Sequence, residues 1–286
     1  MKKISSKLYS YGNYTKDKVS SKYKNNKLYQ LKKSGFLILK NIFNSRDCDV
    51  AKSKIDIIYK KQIKEFGGEK NLKIIDDNNV VRALFCYDDY FKKFLFNSKI
   101  KSMLKECFEG RYIINLQNAP INRAYSAHFG SAWHRDLPFQ TFVSSKPIAM
   151  NVLVCLDDFT KQNGATFVVP KSHKVEHLPN KVNLKNTKQL IAKKGDVIFL
   201  DAMLYHRAGE NLTSKDRNLI VNMFTLPFVK PQLNYSKMLK KKSYKNKKLF
   251  ELIGSDLNIE ESVYNWRMRR KKRYINNPNY FNKKSG

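Results

Sequence analysis

The stretch Lys161-Gln162-Asn163-Gly164-Ala165-Thr166-Phe167-Val168-Val169-Pro170-Lys171-Ser172-His173-Lys174 sets a turn signal, Gln162-Asn163-Gly164, directly before a short apolar run, Ala165–Val169. Asn and Gly tolerate the left-handed backbone that reverses a chain, and a run of five residues is enough for a strand but not for a helix. The same rhythm continues on both sides. From Arg111 onward short apolar runs alternate with turn residues, giving candidate strands at Tyr112–Leu116, Ile148–Leu156, Leu190–Ala192, Val197–Leu200 and Leu219–Leu226, with Lys194-Gly195-Asp196 as a second turn. This is the pattern of an all-β core. Ahead of it lies a candidate strand at Phe36–Leu39, then a helix with Ala51, Ile55, Ile58, Tyr59 and Phe66 along one stripe, closed by Gly67-Gly68. A second helical stretch is expected from about Asp88 to Glu109. The fold class is therefore mostly β with flanking helices.

Within the β region stands Ser131-Ala132-Trp133-His134-Arg135-Asp136-Leu137-Pro138. Side chains alternate along an extended strand at about 3.3 Å per residue, so His134 and Asp136 point the same way, about 6.6 Å apart. One imidazole and one carboxylate can then fill neighbouring positions on a metal. His206, 70 residues after Asp136, offers a third, which makes up a 2-His-1-carboxylate set with one side left open. Apolar neighbours Trp133, Leu137 and Phe139 argue against a surface His and a turn Asp, because a buried carboxylate needs a partner. Arg217 opens the strand after the loop that follows His206. If those two strands pair across the loop, His206 and Arg217 become cross-strand neighbours about 5 Å apart at Cβ. Gln117 and Asn151 are amides in apolar strand contexts; a bound carboxylate would satisfy them, and so would neighbouring backbone. Trp133, Phe139, Phe142 and Tyr125 are candidate pocket walls, with a core role as the alternative.

These blocks resemble the phytanoyl-CoA dioxygenase-like oxygenases. Asn163-Gly164 through Pro170-Lys171-Ser172-His173-Lys174 is similar to that family's NGa-x-x-x-x-PgSHk segment, Trp133-His134-Arg135-Asp136 to its W-H-x-D block, and the eleven residues from His206 to Arg217 to its interval between distal ligand and cosubstrate arginine. Order and spacing match over roughly Gly35 to Pro227. Two positions depart: Lys171 stands where relatives have Gly, and Ala208 where a small hydroxyl residue is frequent. The resemblance implies a double-stranded β-helix (jelly-roll, cupin-like) core buttressed by N-terminal helices and a C-terminal helix. It further implies Fe(II) held by His134, Asp136 and His206, with 2-oxoglutarate and O2 as cosubstrates. Arg217 would anchor 2-oxoglutarate, with Gln117 and Asn151 as further cosubstrate contacts, and a C–H bond of a small molecule would be hydroxylated with release of succinate and CO2. Relatives that halogenate lack the ligand carboxylate, so Asp136 favours hydroxylation. The role of His173 in this motif is structural.

The chain has 286 residues and 42% hydrophobic residues, which suffices for a substantial core. No apolar run reaches the roughly 18 residues of a spanning helix, and no apolar segment follows the basic N-terminus. Cys48, Cys86, Cys107 and Cys155 lack paired spacing, as expected of buried thiols in a reducing compartment, and the cytoplasm is the expected location. The net charge of +32 is concentrated at the ends. Residues 1–35 carry ten Lys against one Asp and residues 228–286 sixteen basic against four acidic residues, which places 21 of the 32 excess charges there. The expected organisation is a flexible basic arm over 1–28, an oxygenase domain over 29–228 with its β-helix core at about 111–228, and a basic extension over 229–286 packing on the core. That extension should hold a helix capped by Asn258, with Glu261 as capping-box partner and Ile259, Val263 and Trp266 on one face. Lysine flanked by asparagine, with no nucleic-acid motif, points to weak non-specific nucleic-acid contact at most. The alternative reading is a nucleic-acid-associated protein or oxygenase that uses its basic arms for binding.

Overall fold

The computed structural model describes residues 27–126, 129–178, 180, 184–239, 246–257 and 260–276. Its N-terminal half holds α1 (Lys27–Ser34), β1 (Phe36–Leu39), α2 (Ser45–Glu65), α3 (Glu69–Ile74), β2 (Val80–Val81), α4 (Leu84–Tyr87), α5 (Lys92–Phe96) and α6 (Ser98–Phe108). The strands β3 (Ile113–Asn122), β4 (Ala149–Cys155), β5 (Phe167–Val168), β6 (Lys188–Gln189), β7 (Val197–Asp201), β8 (His206–Arg207) and β9 (Arg217–Thr225) come next. Three helices complete the described chain, α7 (Tyr235–Leu239), α8 (Lys247–Leu252) and α9 (Val263–Ile275).

Two antiparallel sheets carry the fold. The larger has the order β1-β7-β4-β9-β3-β2 and the smaller β6-β5-β8. β4 is central in the larger sheet and buried at every position. Its alternate residues Met150, Val152 and Val154 join the helix-side core with Ile55, Phe91, Phe94 and Leu104, while Leu153 and Cys155 join Val168, Ile198, Leu200 and Leu219 in a second apolar cluster. Burial on both faces explains why Ile148–Leu156 reads as a continuous apolar run rather than an alternating one.

Helix α2 begins at Asn44, whose side chain accepts from Asp47 N at 2.7 Å, and buries Ala51, Ile55, Ile58 and Tyr59 of the expected stripe together with Cys48, whereas Phe66, past its last turn, is exposed. The second helical stretch is not continuous. Asn97 accepts from Lys99 N (3.0 Å) and Ile100 N (3.3 Å), so its side chain caps α6 and separates it from α5. Strand β3 runs six residues past Leu116. Its polar half is buried because its amides are paired: Asn118 Oδ1 accepts from Ala83 N, and Asn122 Nδ2 donates to Gly209 O.

The terminal expectations need correction at two points. Lys27 and Leu28 belong to α1, where Leu28 is buried, so these two are not part of an arm; residues 1–26 lie outside the described residues. The part of the C-terminal extension that packs on the core is α7 and α8, through Tyr235, Leu239, Leu249, Leu252 and the capping residue Ile253. In α9 every described side chain is exposed, including Val263 and Trp266, so the helix exists without the expected packing. Asn258 and Ile259 lie outside the described residues; Ser262 Oγ accepts from Asn265 N at 3.0 Å near the start of α9.

Gly195, in the turn before β7, has φ +87°, and its carbonyl accepts from both Ile42 N and Phe43 N at 3.0 Å. A Cβ there would overlap Phe43 O, a backbone atom that cannot yield without breaking those bonds. Gly195→Ala is expected to destabilise the fold by about 1–3 kcal/mol or more, read as a fall in Tm of about 2–4 °C per kcal/mol in thermal unfolding.

Candidate metal centre

The extended segment that carries His134 and Asp136 runs against β8. His134 N donates to His206 O and His206 N to His134 O, each at 3.0 Å, a reciprocal antiparallel pair, and Asp136 N donates to Ala202 O at 2.9 Å. Residues facing each other in such a pair turn their side chains to the same face. The two imidazole centroids are therefore 4.5 Å apart. His134 Nε2 lies 3.8 Å from Asp136 Oδ1 and His206 Nε2 lies 3.7 Å from Asp136 Oδ2. One ligand atom from each of the three residues falls within 4.8 Å of the others, a spacing that a single ion can fill.

Both imidazoles have their other nitrogen committed. His134 Nδ1 is 2.8 Å from Ala132 O and His206 Nδ1 is 2.8 Å from Leu204 O, each a carbonyl two residues back. An imidazole that donates from Nδ1 keeps its lone pair on Nε2, so both rings present acceptor nitrogens to the space beside Asp136. Burial pushes His206 further toward the neutral form. Arg135, between the ligands in sequence, points away from them. It is buried, and its guanidinium donates to Gln140 O, Glu176 O, Ser172 O and Val175 O, which fastens the flanking loops to the back of the ligand segment.

Asn151 on β4 also reaches this cluster. Its Nδ2 donates to Asp136 Oδ2, and its buried Oδ1 has no hydrogen-bond partner among the described residues. Arg217 is 2% exposed; its Nε donates to Asn163 O at 3.0 Å, its Cζ sits 4.2 Å from the Phe159 ring centroid, and Nη1 is buried without a partner among the described residues. Burial lowers its pKa to about 10, which still leaves it charged at neutral pH. A buried cation with an unused donor calls for an anion.

Three expectations are corrected. Arg217 is not a cross-strand neighbour of His206: β8 pairs with β5 in the small sheet, whereas β9 pairs with β3 and β4 in the large one. Gln117 faces the helices. Its Oε1 accepts from Phe85 N (2.9 Å) and its Nε2 donates to Phe91 O (3.1 Å) and Asn222 Oδ1 (2.9 Å), so the amide is satisfied on the other side of the sheet and has nothing to offer a cosubstrate. Trp133 alternates with His134 and stacks on Tyr205 at 5.5 Å with Arg207 over its ring, a cluster on the opposite face from the histidines. Phe139, Phe142 and Tyr125 are exposed.

His173 serves the fold. Its Nε2 is 3.2 Å from Lys32 O and its ring lies against Gly35, where a Cβ would meet Nδ1 at 2.6 Å; burial drives its pKa down to about 4, hence neutral. Lys171 has φ +71°, the left-handed conformation that explains the Gly of its relatives. Asp201 gave no sequence signal, since it ends an apolar strand. It is 8% exposed, accepts from Met203 N at 2.9 Å, and burial raises its carboxyl to about 7.

The phytanoyl-CoA dioxygenase (PhyH) family model matches residues 31–219. The chain belongs to the phytanoyl-CoA dioxygenase family. It is 27% identical over 227 residues to dioxygenase af480 of Aspergillus fumigatus, covering 74% of this chain and 70% of that protein. It is also 24% identical over 250 residues to the peroxisomal phytanoyl-CoA dioxygenase of Homo sapiens, covering 72% and 69%. In fold it is similar to HygX from Streptomyces hygroscopicus, solved with nickel and 2-oxoglutarate bound, at a TM-score of 0.54 and 16% identity, covering 72% of this chain and 88% of that one.

The Asp201 carboxyl provides a pH test. Its folded pKa of about 7 exceeds the ordinary 3.8, so the folded chain holds the proton longer and stability is lost as pH rises from about 4 to 7. Asp201→Asn keeps an acceptor for Met203 N without the charge. The Tm advantage of that variant over the parent is expected to grow between pH 5 and pH 8; an advantage independent of pH would place the cause elsewhere.

Proposed function

We propose that the chain is a non-haem Fe(II)- and 2-oxoglutarate-dependent dioxygenase that uses O2 to hydroxylate a C–H bond of a small-molecule substrate, releasing succinate and CO2. The observation that carries this reading is the convergence of His134 Nε2, His206 Nε2 and one Asp136 oxygen, with both Nδ1 atoms already held by backbone. Two imidazoles and one carboxylate suit iron and leave positions open. The orphaned Nη1 of buried Arg217 suits the distal carboxylate of 2-oxoglutarate, which a guanidinium can grip with two donors. HygX, with nickel and 2-oxoglutarate bound, supports the same pairing of metal and cosubstrate.

The two sheets are read as the layers of a double-stranded β-helix. β3-β9-β4-β7 form one layer, and the His134 segment with β8-β5-β6 the other, the chain crossing between layers. The oxygenase domain spans 29–228 with its core at about 111–228, flanked by the basic arm and the extension over 229–286. Among the described residues no helix is long and apolar enough to cross a membrane. Four free thiols fit a reducing cytoplasm. Bound iron would supply the oxygen activation that no side chain here can perform. The chain's own part is geometric: the paired strands fix the histidines, Arg135 anchors the loops behind them, and Arg217 offers charge from a buried position. The exposed basic α9 fits weak, salt-sensitive contact with nucleic acid, in keeping with the excess charge at the chain ends.

Anaerobic titration of the purified chain is expected to show one Fe(II) bound, with Asp136→Ala weakening that binding and abolishing 2-oxoglutarate turnover. Full turnover in Asp136→Ala would dismiss the ligand set. Arg217→Ala is expected to keep iron and to raise the 2-oxoglutarate requirement about ten- to a hundredfold, the loss typical of a charge-assisted contact; an unchanged requirement would move the anchor to another residue.

A further inference from the structure

We propose that Asn151 is a positioning residue for the metal, holding Asp136 by one oxygen so that the other alone is offered to the ion. The inference rests on the metal reading above and assigns Asn151 a different role from a cosubstrate contact. Asp136 sits in a segment with sparse backbone pairing: His134 forms an isolated bridge to His206, and Asp136 N reaches Ala202 O. Asn151 stands on β4, a strand of the large sheet paired on both sides, with Leu200 opposite it on one and Met223 on the other. It is 2% exposed. The bond from its Nδ2 to Asp136 Oδ2 therefore ties a ligand side chain from the small-sheet side to the rigid large sheet.

The direction of that bond decides the chemistry. Turned the other way, the amide would set its oxygen against a carboxylate oxygen, acceptor against acceptor, so Nδ2 must face Asp136. The donor then engages Oδ2, the oxygen 3.7 Å from His206 Nε2, and leaves Oδ1, 3.8 Å from His134 Nε2, free of Asn151 to ligate an ion. Ligation through one oxygen uses one position on the metal, where chelation through both would use two. The remaining atom of the amide, Asn151 Oδ1, is a buried acceptor without a partner among the described residues. An acceptor repels a carboxylate, so this face of the residue does not fit the anionic ends of 2-oxoglutarate; it fits a hydrogen-bond donor. Partners that orient a ligand carboxylate in this manner change metal affinity about 10–100-fold when removed.

The test uses the full-length chain, anaerobic, with Co(II) as the probe because its visible absorption reports coordination. For N151A, Co(II) affinity is expected to fall about tenfold or more with an altered visible spectrum, while 2-oxoglutarate affinity at saturating Co(II) stays within about twofold of the parent. N151S, of similar size but with a donor, is expected to recover part of the loss and serves as the second variant should the alanine fail to fold. In an Asp136→Ala background the further loss from N151A should vanish, because the residue acts through that carboxylate. Co(II) affinity unchanged in folded N151A, or a persisting loss in the Asp136→Ala background, would overturn the role. So would a fall in 2-oxoglutarate affinity with Co(II) binding intact, which would make Asn151 a cosubstrate contact. If the parent chain bound no Co(II), the metal reading itself would fail, an outcome distinct from either.

Discussion

Two backbone hydrogen bonds exchanged between His134 and His206 hold the rest of the site in place. Because each residue donates to and accepts from the other, register there has no freedom. A slip of one residue in either segment would turn its imidazole to the opposite face and bring Trp133 or Arg207 inward in its place. On the outer face Trp133, Tyr205 and Arg207 stack together, so the same pairing is fixed from behind by aromatic and cation–π contact. The small sheet is short in hydrogen bonds, with two-residue strands, and much of its definition comes from these side-chain layers. Its inner side is closed by the apolar cluster around Val168 and Leu204, and its ligand segment is tied through Asp136 to Asn151 on β4 and to Ala202, just past the end of β7.

The site was legible to the extent that its signal is local. His134 and Asp136 two residues apart on an extended segment must share a face, and the structure brings them together with His206. Arg217 is buried with an unsatisfied donor, but its neighbours could not be read from spacing. A short loop between two strands suggests a hairpin, whereas here it connects one sheet to the other. Gln117 failed for a reason of parity. It is opposite Asn222, whose neighbours Ile220 and Phe224 lie in the helix-side core, so its face is decided by pairing that a single strand's composition does not reveal. Asp201 was silent in sequence because an acid at the end of an apolar strand reads as a turn; only tertiary burial makes it unusual.

The fold obeyed similar limits. The α2 stripe and the continuous apolar β4 were readable because periodicity and length agree with what is buried. The far half of β3 was not, since Gln117, Asn118 and Asn122 look like turn residues until their hydrogen-bond partners on α4 and the β8–β9 loop are in place. Asn97 was hidden inside an apolar stretch that a moving window treats as one helix. In α9 an apolar pattern was visible, but among so many Arg and Lys residues the helix has no buried face among its described side chains, and exposed Tyr264, Trp266 and Met268 are the result.

Protein interiors satisfy their polar atoms, so those that are not satisfied carry information. In this chain several buried side-chain atoms lack a partner among the described residues, and two of them bear on the site: Arg217 Nη1, a donor on a buried cation, and Asn151 Oδ1, an acceptor beside Asp136. A folded chain selected for stability alone would replace Arg217 by an apolar residue, since its guanidinium donates to a carbonyl rather than a carboxylate and stacks on Phe159. Retaining the guanidinium is costly unless something anionic enters. The same holds for the three ligands, whose acceptor atoms face one another at 3.7–3.8 Å with no proton donor between imidazole and carboxylate when both rings are neutral. The three ligands call for a cation and Arg217 for an anion.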